Sequence, residues 1–150
     1  MLRELSILDQ VAHRTLEYAN QIGVPGAVVV GIARIQDGLF VLDSKELATK
    51  LVRTELRDEQ DKGSDYGAVA YAKMLRRLRN ELGIDTTNII RRGEIDFRGD
   101  TAFVINGIAY VVCFSGDPTQ VVDNKIAMDG ALDFWLTLSK SNEQPVGTDA

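Results

Sequence analysis

The sequence is poor in the residues that most often carry chemistry. Of its 150 residues one is cysteine and one is histidine, which excludes an intrachain disulfide and leaves no His/Cys cluster for a zinc site of the usual kind. Cys113 stands inside an apolar, β-branched run, the setting of a buried and inert thiol. Positive charge is short as well. Against 22 Asp and Glu there are 17 Lys and Arg, a net charge of −5, so no general attraction to nucleic acid or to an anionic membrane is expected, since both need a positive field. No apolar run is long enough to span a bilayer, and Arg3, Glu4 and Asp9 interrupt the stretch where a signal peptide needs unbroken apolar residues. The expectation is a cytoplasmic protein.

Catalytic signatures are missing too. There is no G-x-G-x-x-G, no Walker loop and no metal-spaced acidic cluster. Ser115-Gly116 invites comparison with a nucleophile elbow, but Cys113 and Asp117 stand where G-x-S-x-G has its glycines. Asp123 and Asp129 form an acidic pair of the kind that is usually solvated on a helix. The motifs assign no catalytic residue and no metal ligand, which weighs against an enzyme without deciding it.

What is present is a well-marked fold. With 45% apolar residues the chain is long enough to bury one core and too short to suggest two domains. The stretch Thr101 to Gln120 organises it. Two apolar runs, Ala102–Ile105 and Ile108–Phe114, flank Asn106-Gly107, the pair that a two-residue type I′ hairpin needs because both central residues take positive φ. Asp117-Pro118-Thr119-Gln120 then reads as a helix start, with an N-cap aspartate, a proline in the first turn and a glutamine that closes a capping box. The following helix, Pro118–Leu138, turns Val122, Ile126, Ala127, Gly130, Ala131, Phe134 and Leu138 inward. Trp135 and Leu136 fall off that stripe, marking either a subunit interface or a second contact within the chain.

Upstream, Leu5, Leu8, Ala12, Thr15, Leu16 and Ala19 give an amphipathic helix over about Arg3–Ile22, ended by Gly23 and Pro25. His13 points away from its apolar stripe, toward solvent. Gly26–Ile35 reads as a strand, with Asp37-Gly38 as a hairpin turn and Leu39–Leu42 as the return; Gly31 marks a bulge or a close approach, or else a plain small-residue contact. Asp43-Ser44-Lys45-Glu46 has capping-box spacing, and Leu47, Leu51 and Val52 predict a helix running into the charged Arg53–Lys62 segment. A further helix spans Tyr66–Leu82, with Ala70, Met74, Leu78 and Leu82 on one arc. The opposite arc gathers Lys73, Arg76, Arg77 and Asn80, a positive stripe in an acidic protein. That stripe is either a charged solvent face or a seat for an anionic ligand or a subunit contact. Between the helix and the hairpin, Asn88–Ile90 and Glu94–Phe97 read as short strands around Arg91-Arg92-Gly93. From Ser139 onward the composition is that of a disordered tail.

Four stretches together resemble the haem-binding HbpS-like family, which includes the GlcG proteins and the C-terminal domain of PduO-type corrinoid adenosyltransferases. Ile22-Gly23-Val24-Pro25 with the Ala27–Leu42 hairpin resembles the family's opening; Ala72-Lys73 resembles its lysine-bearing helix; Ile105-Asn106-Gly107 through Ser115-Gly116 resembles its hairpin ending in V-S-G; and Pro118, Gln120, Asp123 and Gly130 resemble its P-E-Q-D helix. The likeness covers residues 1–138 as a single domain, with 139–150 as the tail. It implies a profilin-like α/β (α+β) fold, an antiparallel sheet of about five strands with helices on both faces, commonly built into homo-oligomers. It also implies binding of haem or a related tetrapyrrole, or of a corrinoid. Lys73, Arg76, Arg77, Arg91 and Arg92 are then the cations available to its carboxylates. The expected function is small-molecule binding or sensing by a homo-oligomer, the anionic ligand lying between the Tyr66–Leu82 helix and the sheet edge. Two alternatives stay open: an enzyme of haem degradation or other small-molecule turnover, which would need a bound cofactor, and a ligand-free assembly scaffold in which the positive stripe and Trp135 face other chains.

Overall fold

The structure is a computed structural model that describes residues 2–36, 39–40, 47–54, 66–81, 99–116 and 121–143. Three helices and five strands follow in the order α1 (Leu2–Gln21), β1 (Ala27–Gln36), β2 (Leu39–Phe40), β3 (Leu47–Arg53), α2 (Tyr66–Glu81), β4 (Asp100–Ile105), β5 (Ile108–Ser115) and α3 (Val121–Glu143). The strands make one antiparallel sheet in the order β2-β1-β5-β4, and β3 also pairs with β1. β2 meets β1 at Ile35 and Gln36 while β3 meets it from Ala27 to Ala33, so the five strands occupy four rows. Helices cover both faces of this sheet, as the resemblance implies.

Strand alternation divides the core in two. Val28 and Val30 of β1 with Val112 and Phe114 of β5 face α1 and α3, where they pack on Leu8, Val11, Ala12, Ile126 and Phe134. Val29 and Ala33 with Val111 and Cys113 face the other way, onto Ala70 and Met74 of α2. The first layer is closed by rings: Phe103 stacks on Tyr110 at 5.0 Å and meets Phe134 edge-on at 5.8 Å. Where Gly31 passes under α2, a Cβ would lie 2.8 Å from Met74 Sδ, and the pairing of β1 runs unbroken through this residue on both sides. Close approach, not a bulge, is the reason for this glycine.

Most of the expected elements form. α1 and α2 lie where periodicity puts them, and Asn106 and Gly107 take φ of 51° and 74°, as the type I′ turn between β4 and β5 requires. The helix expected from Leu47 onward does not form. Residues 47–53 are instead the edge strand β3, in register with β1 from Ala27↔Arg53 to Ala33↔Leu47. Leucine and valine at 47, 51 and 52 fit either period over so short a run, and β1 offers a full row of backbone partners that outweighs a local capping signal. Alternation then sends Val52 into the α1/α3 layer and Thr49 toward Tyr71 of α2. At the other end α3 continues through Glu143, so residues 139–143, expected in the tail, are helical. The Asp117–Gln120 cap, the short strands over 88–97, and residues 144–150 lie outside the described residues.

Candidate functional site

The positive row of α2 turns into the protein. Residues 73, 76 and 77 recur at three- and four-residue spacing and share one side of the helix, and that side meets the end of β5 and the start of β4. Lys73 is 1% exposed and Arg76 2%, so the solvent-face reading of these two cations is not what the fold does with them. Long side chains carry their charge to where carboxylates wait.

Lys73 reaches past the end of the sheet. Its Nζ donates to the carbonyl oxygen of Phe114 at 2.8 Å and to Asp123 Oδ2, on the first turn of α3, at 3.2 Å. Helix α2 lies on one face of the sheet and α3 on the other, so this buried pair joins the two layers. Arg76 Nη2 donates to Asp100 Oδ1 at 2.8 Å. Arg77 holds the same carboxylate from outside: its Nε lies 2.7 Å from Asp100 Oδ2, and its Nη2 donates to the Asp100 carbonyl oxygen at 2.8 Å. Of the three cations Arg77 is the outermost, with 23% of its side chain exposed. Asp100 and Asp123 are as deeply buried as Lys73 and Arg76.

Gly99 makes room for this seam. It has φ of +131°, and a Cβ there would lie 2.5 Å from the Phe114 carbonyl oxygen and 2.8 Å from Lys73 Nζ. Its own carbonyl accepts from the Phe114 amide at 2.8 Å. Burial pushes the Lys73 ammonium below its ordinary 10.5, against the pull of Asp123 in the opposite direction. Cys113, fully buried beside the seam, has its thiol pushed well above 9.0, first by burial and then by the Asp100 charge. It is a protonated packing residue.

Three of the five expected ligand cations, Lys73, Arg76 and Arg77, are therefore together, while Arg91 and Arg92 lie outside the described residues. His13 is exposed on α1, 3.4 Å from Asp9, and belongs to the opposite layer. Asp100 and Asp123 were not among the expected site residues, and the sequence held one signal for them. Lys73 and Asp123 are both positions of the family resemblance, and they turn out to bind each other. Among the described residues no three His, Cys, Asp or Glu side chains gather as a metal site would need, and no helix is long and apolar enough to cross a membrane.

No family model and no curated protein sequence matches the chain. Among solved structures it is similar to HbpS, with 18% identity and a TM-score of 0.47 over 85% of this chain and 86% of that one. A double mutant of Streptomyces reticuli HbpS gives the same identity and score over 85% and 84%. The Klebsiella pneumoniae protein ORFY, of family DUF336, gives 18% identity and 0.46 over 87% and 88%. These are proteins of the kind that the four sequence stretches resemble. The likeness is one of chain path, and the seam stands on its own side-chain geometry.

Proposed function

We propose that the chain is a small-molecule-binding or sensing protein that works as a homo-oligomer and takes an anionic ligand at the outer end of the α2 seam. The observation that carries the reading is the seam: four charged side chains, each 3% exposed or less, gathered at one end of the sheet. Burying a charge costs several kcal/mol even after relaxation, and an ion pair often stabilises a core no better than apolar groups of the same volume. Buried charges with perturbed protonation are concentrated at binding and catalytic sites for that reason. In this reading Arg77 is the contact, held in place through Asp100, and Arg91 and Arg92 complete the set of cations.

The ligand class that the sequence resemblance suggests is haem or a related tetrapyrrole, whose propionates suit a guanidinium fork. Among the described residues the exposed part of Arg77 suits that carboxylate end, and neither the histidine nor the cysteine is placed to hold the iron. The single histidine is on α1, across the sheet from the seam, and the Cys113 thiol is buried and protonated. Binding through the propionates is the form the proposal takes, and no reaction is routed through the group.

A haem titration followed by absorbance, with native mass spectrometry on the same sample, tests the proposal. The expected result is a saturable Soret band at fixed stoichiometry, weakened at least tenfold in affinity by Arg77→Ala and unchanged by His13→Ala. A second reading, a ligand-free assembly scaffold, is favoured by α3, which is apolar on two faces. An intact oligomer with no specific band would move the assignment there.

A further inference from the structure

A surface helix of a single-chain protein keeps its outer face polar, and α3 carries large apolar residues on the side that faces away from the core. Val121, Met128, Leu132, Trp135 and Leu136 are all exposed, Met128 and Leu132 by about 60%. At 100° per residue these five fall within about 100° of arc, in one stripe along the helix that Lys125 interrupts near its start. For side chains of these sizes such exposures leave on the order of 500 Å² of apolar surface, at the upper end of what monomers show. It is more than half of the roughly 800 Å² that each partner gives to a stable interface. The stripe also borders a groove of about 390 Å³ between α1 and α3, lined by Tyr18, Asp129, Leu132 and Leu136. A neighbouring helix would find a concave seat there.

We infer that the stripe is a two-fold interface in which α3 packs antiparallel against α3 of a second copy, with Leu132 on the axis. The inference rests on the homo-oligomeric part of the proposed function. An isologous contact needs a patch that complements itself, and the middle of this stripe does, with Trp135 falling opposite Asp129 at its flank. Reversed about Leu132, Met128 falls opposite Leu136 in both directions and Leu132 opposite itself. Lys125 falls opposite Ser139, and Asn124 opposite Lys140. No like charges meet. Trp135 lies at the flank of the stripe, braced edge-on by Phe103 at 5.4 Å, so the largest apolar side chain enters the contact already ordered.

Native mass spectrometry and light scattering at micromolar concentration provide the test, with Leu132→Glu and Leu132→Cys as the variants. The wild type is expected to be dimeric or a multiple of dimers. Leu132→Glu, which changes an exposed position and should keep the wild-type melting curve, is expected to weaken the two-fold contact at least 100-fold. Leu132→Cys is expected to cross-link to its own copy under mild oxidation. Lys125→Cys is the control, because it lies roughly 20 Å from its copy in this arrangement and forms no bridge. A wild-type oligomer that persists in Leu132→Glu and gives no Leu132→Cys bridge overturns this interface and leaves the oligomeric reading standing. A monomeric wild type, with the stripe left to some other partner, overturns both.

Discussion

The two faces of the sheet are held by different means. On the α1/α3 side, Phe114, Phe134, Leu8 and Ile126 close an apolar layer with ring contacts at its edge. Its polar links, such as Arg14 Nε to Asp133 Oδ2 at 2.9 Å, lie at the surface. On the α2 side the apolar cluster is smaller, built of valine, alanine, Met74 and Cys113, and buried ion pairs hold the helix instead. Apolar contact is forgiving of small shifts, while a buried pair fixes one geometry and penalises its loss heavily. The α1/α3 layer therefore contributes bulk stability, and the α2 layer contributes position.

That contrast can be broken at its strongest points first. Phe134→Ala should cost about 3–5 kcal/mol through the lost burial and the cavity left behind. Lys73→Met should cost about as much by another route, taking the buried Lys73 cation away from the Asp123 carboxylate. Urea denaturation reads both, and a second substitution separates them: Lys73→Met with Asp123→Leu should regain most of the loss, whereas no charge change should rescue Phe134→Ala. A double variant as unstable as Lys73→Met alone would mean that the pair matters for packing rather than charge.

Gly99→Ala is the next smaller effect. The positive φ and the contacts waiting at the Cβ position predict a loss of about 2 kcal/mol, and binding at Arg77 should weaken with it. Arg14→Ala, on the other face, should cost about 1 kcal/mol or less, since its pair with Asp133 is largely solvated. The smallest effect is one of slope. The unfolded Cys113 thiol ionises near 9.0 while the folded one keeps its proton to higher pH, so above pH 9 the unfolded state binds fewer protons and stability falls. Lys73 acts in the opposite sense, because its folded pKa lies below 10.5 and stability rises with pH between the two values. Denaturation midpoints at pH 8, 9 and 10 should decline less steeply in Cys113→Ala than in the wild type. Equal slopes would place the thiol in contact with solvent.

The sequence was most readable where a local rule and the tertiary contact agree. Asn106-Gly107 requires a turn and sits between runs that need a sheet, so the β4/β5 hairpin could be drawn from residues alone. The periodicity of α1 named Leu5, Leu8, Ala12, Thr15, Leu16 and Ala19 as its inner face; Leu8, Ala12, Thr15 and Ala19 are buried and Leu16 is half-buried, while the Leu5 side chain lies outside the description. Residues 47–53 went the other way, because a capping box is a local preference and the free edge of β1 is not visible from a seven-residue window. Lys73, Arg76 and Arg77 of α2 share a side as their spacing says, and the acids that two of them are buried against were not foreseen. Helical spacing says which side chains share an arc, and it cannot say that Asp100 and Asp123 lie beyond the end of the sheet. Trp135 makes the second contact within the chain that was one of its two readings, touching Phe103, and it remains 47% exposed.

The Lys73–Asp123 pair has a consequence for how the molecule opens. The side chains belong to helices on opposite faces and meet beside the last carbonyls of β5, so neither helix can lift from the sheet without breaking a buried ion pair with the other. Amide hydrogens of α2, β5 and the first turns of α3 should then exchange with solvent through one shared opening, at a single free energy. In Lys73→Met with Asp123→Leu, where the clasp is gone and the packing remains, α2 should exchange on its own and ahead of the rest.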